Sequence, residues 1–319
     1  MARLEVLPFS DDYVGAAARL LAARHRRHRE AEPLLSPRYE DPAIARDEIE
    51  LLWAEGSGTV AIRDGRVVGY LLGRQRSDET WGPNIWVEVS GHAVEQGEDV
   101  RDLYASAAQR WVDEGRTRHF VLVPAHDAAL LDAWWRVSFG QQHAHGIQEV
   151  EPVEVSVPDG FEIREPRKEE LEDLIDLDLA LPDHQRRSPV FGSPHSYTRD
   201  DSREEWLETF AQGDETILIG AHEGRPVACF AFVDASQSRE HRGLARPDRA
   251  CHLGFAVTLP EFRSSWIGRA LTAAGFARAA EAGYPTMITD WRVTNLLASR
   301  FWPRQGFRTS FLRLYRSIP

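Results

Sequence analysis

The chain has 319 residues, 42% hydrophobic and 28% charged, and 38 Lys+Arg against 50 Asp+Glu leave a formal net charge of −12. Such a profile belongs to a globular protein long enough for two ordinary domains. Its acidity excludes the broad phosphate neutralisation on which general nucleic-acid binding depends.

The two cysteines, Cys229 and Cys251, both sit in apolar strand-like runs. They read as buried inert thiols in a reducing cytoplasm, not as a disulfide framework. The opening MARLEVLPFSDD has no apolar segment of signal-peptide length, and no run reaches the ~20 apolar residues of a membrane helix. A cytoplasmic protein without a membrane segment is expected.

Arg3 to Pro8 reads as a strand, and Asp11-Asp12 as a cap for a helix from Tyr13 to about His28. The run Arg24-His25-Arg26-Arg27-His28-Arg29 reads as a solvated helix end, where cations are favoured. A second helix spans roughly Pro42 to Ala54. TVAIRDG and RVVGYLLG form a hairpin at Asp64-Gly65. A strand over 84–89, a helix over 99–114, a strand over 119–123 and a short helix from Asp127 through Trp135 follow, and Gln148 to Val155 closes this half.

The order then starts again. Phe161 to Glu165 is a strand, Glu169 to Leu179 a helix, Pro182 to Thr198 a loop and Ser202 to Phe210 a helix. ETILIGAHEG and RPVACFAFVD make a hairpin at Glu223-Gly224, residues 235–249 a polar loop, and Ala250 to Thr258 a strand. A helix from Gly268 to Gly283, a strand over 286–291, a helix over 295–304 and a strand over 309–315 complete the chain. Gly115, Asp127, Trp134, Arg136 and Phe139 recur 168 residues later as Gly283, Asn295, Trp302, Arg304 and Phe307. One domain-sized fold is therefore duplicated, not a short solenoid repeat. The expected domains are 1–152 and 153–319.

The richest stretch is Phe255 to Leu271, FAVTLPEFRSSWIGRAL. A strand runs into a small-residue loop and then a helix start, which offers several free N–H groups to a phosphate. Arg263 and Arg269 flank the loop with positive charge.

Arg263-Ser264-Ser265-Trp266-Ile267-Gly268 after Pro260-Glu261-Phe262, then RALTAAGFARAAEAGY, then Asn295-x-x-Ala298-x-x-Phe301-Trp302-x-x-x-Gly306-Phe307, resembles the GNAT acetyltransferase superfamily over about 60 residues. The first half resembles the same fold more faintly, which implies a tandem GNAT architecture similar to mycothiol synthase-like proteins. The fold class implied is α/β (α+β), each domain a mixed, mainly antiparallel sheet flanked by helices. The resemblance implies an acyl-CoA-dependent N-acyltransferase using acetyl-CoA or another acyl-CoA. The acyl group would pass to a small-molecule or peptide amine by direct attack in a ternary complex.

On the matching positions, the strand at Ala256, Val257 and Thr258 would hold the pantetheine arm. The loop amides of Arg263, Ser264, Ser265, Trp266, Ile267, Gly268, Arg269 and Ala270 would hold the pyrophosphate, with Asn295 and Trp302 beside them. Trp266 stands where the family carries its first glycine, so its side chain either packs against the sheet or lines the cofactor. Trp302 stands where the family often carries a Tyr acid, and an indole gives no proton near neutral pH. His252 and Asp290 are the candidate bases.

The aligned loop of the first half, Glu95-Gln96-Gly97-Glu98-Asp99-Val100, carries three carboxylates. Like charges at close range repel a pyrophosphate, so the N-terminal domain is expected not to bind CoA. No metal is expected, since His143-x-His145 lacks a third ligand. Absence of a G-x-S-x-G elbow argues against a hydrolase. A monomer or homodimer with no nucleic-acid or membrane partner is expected. Two alternatives remain: a non-catalytic acyl-CoA-binding or regulatory protein, and a nucleotide-binding module using the same loop.

Overall fold

The computed structural model describes residues 3–78, 81–192, 197–213 and 215–319. Residues 193–196 of the expected Pro182–Thr198 loop lie outside that set. In chain order the elements are β1 (Glu5–Pro8), α1 (Val14–Ala31), α2 (Pro42–Trp53), β2 (Gly56–Arg63), β3 (Arg66–Asp78), β4 (Gly82–Val87), β5 (His92–Val94), α3 (Asp99–Asp113), β6 (Arg118–Pro124), α4 (Ala128–Trp135) and β7 (Gly140–Glu149). The second series is β8 (Phe161–Arg164), α5 (Leu171–Gln185), α6 (Arg199–Gln212), β9 (Thr216–His222), β10 (Arg225–Asp234), β11 (Ala250–Thr258), α7 (Ile267–Glu281), β12 (Thr286–Arg292), α8 (Ala298–Arg304) and β13 (Arg308–Ser317). The two series match element for element once β5 is set aside, so the duplication seen in the sequence is a duplication of fold.

The chain forms two compact units: Met1–His145 with Arg242–Asp248 and Thr309–Pro319, and Gly146–His241 with Arg249–Arg308. In the first, the strand order is β1-β2-β3-β4-β6-β13 with β5 on β3. Only β4 and β6 run parallel there. In the second the order is β8-β9-β10-β11-β12-β7, and β11 runs parallel to β12. A division at 152/153 is continuous along the sequence, whereas the compact units are not. The reason is a ladder: β13 pairs with β6 from Phe311 opposite Pro124 to Ser317 opposite Arg118, which places the C-terminal strand in the first unit.

Local chemistry fixes the element boundaries. Asp64-Gly65 and Glu223-Gly224 both have positive φ at each central residue (53° and 72°, 51° and 84°), the backbone of a tight hairpin turn matched to strand twist. Asp41 caps α2, its Oδ1 accepting from Ala43 N at 2.8 Å, and Asp127 caps α4, accepting from Leu130 N at 3.0 Å. Tyr70, Trp111, Phe120 and Trp134 fill the core of the first unit. Leu174, Leu177, Trp206, Ile219 and Cys229 join α5 and α6 to the sheet of the second. No helix among the described residues is long and apolar enough to cross a membrane.

Three local expectations are corrected. The strand at the close of the first half is Gly140–Glu149, not Gln148–Val155; residues 150–158 have no regular structure and are mostly exposed, with Pro152 and Pro158 interrupting any ladder. Helix α5 runs on to Gln185, with Pro182 inside its last turns. The basic run of α1 is not a solvated end: Arg24, His25 and His28 are buried. Arg24 donates to the carbonyls of His92 and Val89, the latter at 2.6 Å.

Four buried histidines of the first unit bond to main-chain oxygens: His25 to Ser36 (2.8 Å), His28 to Ser310 (3.0 Å), His92 to Leu122 (2.9 Å) and His119 to Arg116 (2.9 Å). Burial disfavours their charged forms and drives His25 and His119 down to about 4, His92 to about 3 and His28 to about 2. Each folded-state pKa is below the unfolded 6.5, so the unfolded chain binds more protons in acid. The stabilisation is complete above pH 6.5 and is lost as pH falls toward 4, by about 1.4 kcal/mol per pH unit per histidine. Urea unfolding of the first unit should therefore occur at markedly lower denaturant at pH 5 than at pH 7. His28→Gln should make that slope shallower by about one proton; equal midpoints at the two pH values would contradict the assignment.

Candidate active site

The site is built on β11. Its pairing with β10 runs from Cys251 opposite Asp234 to Thr258 opposite Ala228, but skips Gly254, since Phe232 faces Leu253 and Ala231 faces Phe255. Gly254 is the extra residue of a β-bulge. The parallel partner β12 is in register only from Ala250 to Leu253, opposite Thr286 to Thr289. Beyond that point β11 keeps β10 on one edge and, among the described residues, no strand on the other. Ala256, Val257 and Thr258 lie on this stretch, with main-chain groups available to an extended ligand.

Beyond Thr258 the chain turns through Pro260–Phe262 and enters α7. Ser264 and Trp266 adopt the left-handed backbone, with φ of 66° and 70°. The first helical bond recorded at this end runs from Ala270 N to Trp266 O at 3.0 Å. The amides of Ile267, Gly268 and Arg269 in the first turn have no intrahelical acceptor, the local setting in which a helix start favours an anion. Arg263 Nε donates to Thr258 O at 3.4 Å, tying the loop back to the strand.

Between α7 and α8 lies a cavity of about 1190 Å³. Ala256, Val257, Thr258, Arg263, Ser264, Trp266, Gly268, Arg269, Asn295 and Trp302 all line it. Five arginines (263, 269, 300, 304, 308) and two glutamates (149, 151) face it, so a local positive field exists within an acidic chain. A Cβ at Gly268 would meet only Phe301 Cζ at 3.7 Å and Thr258 Oγ1 at 3.8 Å. Protein sterics thus do not demand glycine there; the absent side chain leaves room in the cavity.

Other expected residues serve the fold. Ile267 is fully buried, against Gly220 of β9, and Ala270 is buried too. Ser265 Oγ donates to Phe262 O at 2.6 Å. None of these three lines the groove. Asn295 Oδ1 accepts from Leu297 N (3.1 Å) and Ala298 N (3.3 Å), capping α8, and faces His184 Nε2 at 3.3 Å. Trp302 is buried against Phe230, Phe301 and Phe307. Of the two expectations for Trp266, packing on the sheet is overturned. The indole is 67% exposed, on the cavity side, with Arg269 Cζ 5.8 Å from its ring centre.

His252 and Asp290 meet at the parting of the strands. His252 precedes Leu253, Asp290 follows Thr289, and His252 Nε2 lies 3.8 Å from Asp290 Oδ1. Neither lines the cavity; they stand at the inner end of the open edge. No tyrosine lines the cavity among the described residues. Burial pushes the Cys251 thiol up to about 12 and Cys229 higher still, so neither is a ready nucleophile.

Sequence reasoning missed Phe230, Thr272, Phe276, Arg300 and the α5 end at His184, all of which line the groove. The i, i+4 spacing of Gly268, Thr272 and Phe276, and of Arg300 and Arg304, was the available signal.

Residues 179–307 match the family described as "Acetyltransferase (GNAT) family". A search of curated proteins returns no significant match. Among solved structures, a GCN5-related N-acetyltransferase from Sphaerobacter thermophilus is similar over 98% of this chain and 95% of that one, at 12% identity and a TM-score of 0.58. The glucosamine N-acetyltransferase region of a fungal multi-domain GH3 β-N-acetylglucosaminidase is similar over 99% of this chain and 38% of that one, at 16% identity and a TM-score of 0.54. The chain therefore folds as two tandem GNAT-like domains.

A bulky residue held in the left-handed region costs about 1–3 kcal/mol, more than the ~0.5–1 kcal/mol of an exposed cation–π contact. Trp266→Gly should accordingly raise the calorimetric midpoint of the ligand-free protein by a few degrees. A lowered midpoint would mean that the indole contacts outweigh the strain.

Proposed function

We propose that the chain is an acyl-CoA-dependent N-acyltransferase, using acetyl-CoA, with one working site in its C-terminal GNAT domain (153–319) and a degenerate N-terminal copy (1–152). The observation that carries the reading is the unpaired edge of β11 running into a left-handed loop and a free helix N-terminus, beside a groove lined by five arginines. An extended arm ending in a pyrophosphate matches that sequence of donors. The acceptor is a small-molecule or peptide amine, and the protein a cytoplasmic monomer or homodimer.

The chemistry assigned to the chain's own residues is as follows. His252, held near Asp290, takes a proton from the acceptor ammonium. The freed nitrogen attacks the thioester carbonyl, and a main-chain N–H of β11 near the Gly254 bulge stabilises the oxyanion. The C–S bond then breaks and CoA leaves as thiolate, a leaving group acceptable without a general acid. Trp302 packs and donates no proton.

Supporting the view that the first domain does not bind CoA, its loop carboxylates are already engaged. Arg66 pairs with Glu95, Arg63 with Asp99 at 2.7 Å, and Arg136 with Glu98 at 2.7 Å. A Cβ at Gly97 would lie 2.8 Å from Ala129 main chain in α4, so this loop packs directly on α4.

CoA should raise the thermal midpoint of the protein, and Gly268→Glu should abolish that rise while leaving the ligand-free midpoint nearly unchanged. No shift in wild type would sink the cofactor assignment. In assays of CoA release over a panel of amines, His252→Gln should lower kcat about 10²- to 10⁴-fold with CoA binding retained. Binding of CoA without turnover on any amine would instead favour an acyl-CoA-binding regulator.

A further inference from the structure

His241, His252 and Asp290 converge from a loop and two strands, each with a ligand-type atom within 4.8 Å of the others. Both imidazoles are buried, and Asp290 is partly exposed. We propose that this cluster binds a divalent transition-metal ion of the zinc type, with two imidazole nitrogens and one carboxylate oxygen as ligands and a fourth position open.

Four observations carry it. The donor set, two His and one carboxylate, is one that borderline-soft divalent ions prefer over magnesium or calcium. Tetrahedral ligands at ~2.0–2.1 Å from the metal lie about 3.3 Å apart. His252 Nε2 and Asp290 Oδ1 are already at 3.8 Å, and the widest pair needs to close by about 1.5 Å, within reach of side-chain rotation.

Second-sphere support is present: His241 Nδ1 lies 3.3 Å from Ser238 Oγ, itself buried, and a proton on Nδ1 leaves Nε2 with the lone pair a metal needs. Finally, His252 Nε2 is buried and makes no hydrogen bond, an arrangement that is unfavourable until a partner arrives. Space beside that ring is secured by Gly254, where a Cβ would come within 3.3 Å of His252 Cε1. The exposed side of Asp290 is the way in.

Metal binding here requires neither CoA nor an amine. A bound ion would occupy the lone pair that the proposed base uses and so would inhibit transfer; that consequence rests on the acyltransferase reading, the site itself does not.

The test is a titration of the untagged, metal-free full-length protein with Co²⁺ in the absence of CoA, read by visible d–d absorption and by displacement with Zn²⁺. One Co²⁺ per chain with the intense bands of a four- or five-coordinate site is expected. His241→Gln and Asp290→Asn, checked for folding by circular dichroism, should each weaken binding at least tenfold. No such bands in wild type, or bands that persist unchanged in both variants, would overturn the proposal.

Discussion

The site depends on one constraint, the limited register between two parallel strands. β11 and β12 share four residue pairs and then part after Leu253 and Thr289. Main-chain hydrogen-bonding groups that a sheet would ordinarily consume are left open over the next residues, and open groups must find a partner in water or ligand. The Gly254 bulge lies at the same point, where an extra residue disrupts pairing and bends the strand. The groove, the loop and the His252–Asp290 pair are all arranged around that divergence.

The two halves share an architecture but differ in the charges they place on it. Both halves have parallel strands at the matching position, β4 with β6 and β11 with β12. In the first, the segment before α3 has Arg63 and Arg66 holding Asp99 and Glu95. Each carboxylate there already has its cation, so a pyrophosphate would have to break ion pairs and also face the freed negative charges. In the second, the arginines outnumber the carboxylates around an open cavity. Equal backbones with opposite charge patterns thus diverge in what they can hold.

Much of this was legible in the sequence because it depends on local spacing. Both hairpin turns, the caps at Asp41 and Asp127, the 168-residue repeat and the loop from Arg263 to Gly268 are set by neighbours in the chain. The failures have a common physical origin in tertiary context. Arg24, His25 and His28 look like a solvated helix end, yet main-chain carbonyls from distant segments satisfy them in the core. The polar run Gly140–Glu149 becomes a strand because a neighbouring strand bonds its backbone, while the alternating but proline-bounded 150–158 forms no ladder. His241 sits in a polar loop, and nothing near it in sequence signals that it will meet His252.

That meeting takes place beside the last paired residues, where the strands part. His252 itself is paired on both edges, with Val233 of β10 and Ile288 of β12, so its ring stands on a face of the sheet and not in a gap between strands. At the divergence His252 has a carboxylate 3.8 Å away, too far for a hydrogen bond, and a second imidazole ring centred 5.0 Å off. The spacing is wider than a hydrogen bond and suits a third body held between the side chains, a substrate nitrogen or a metal ion. Gly254 lies beside that ring without a side chain; a Cβ there would come within 3.3 Å of His252 Cε1.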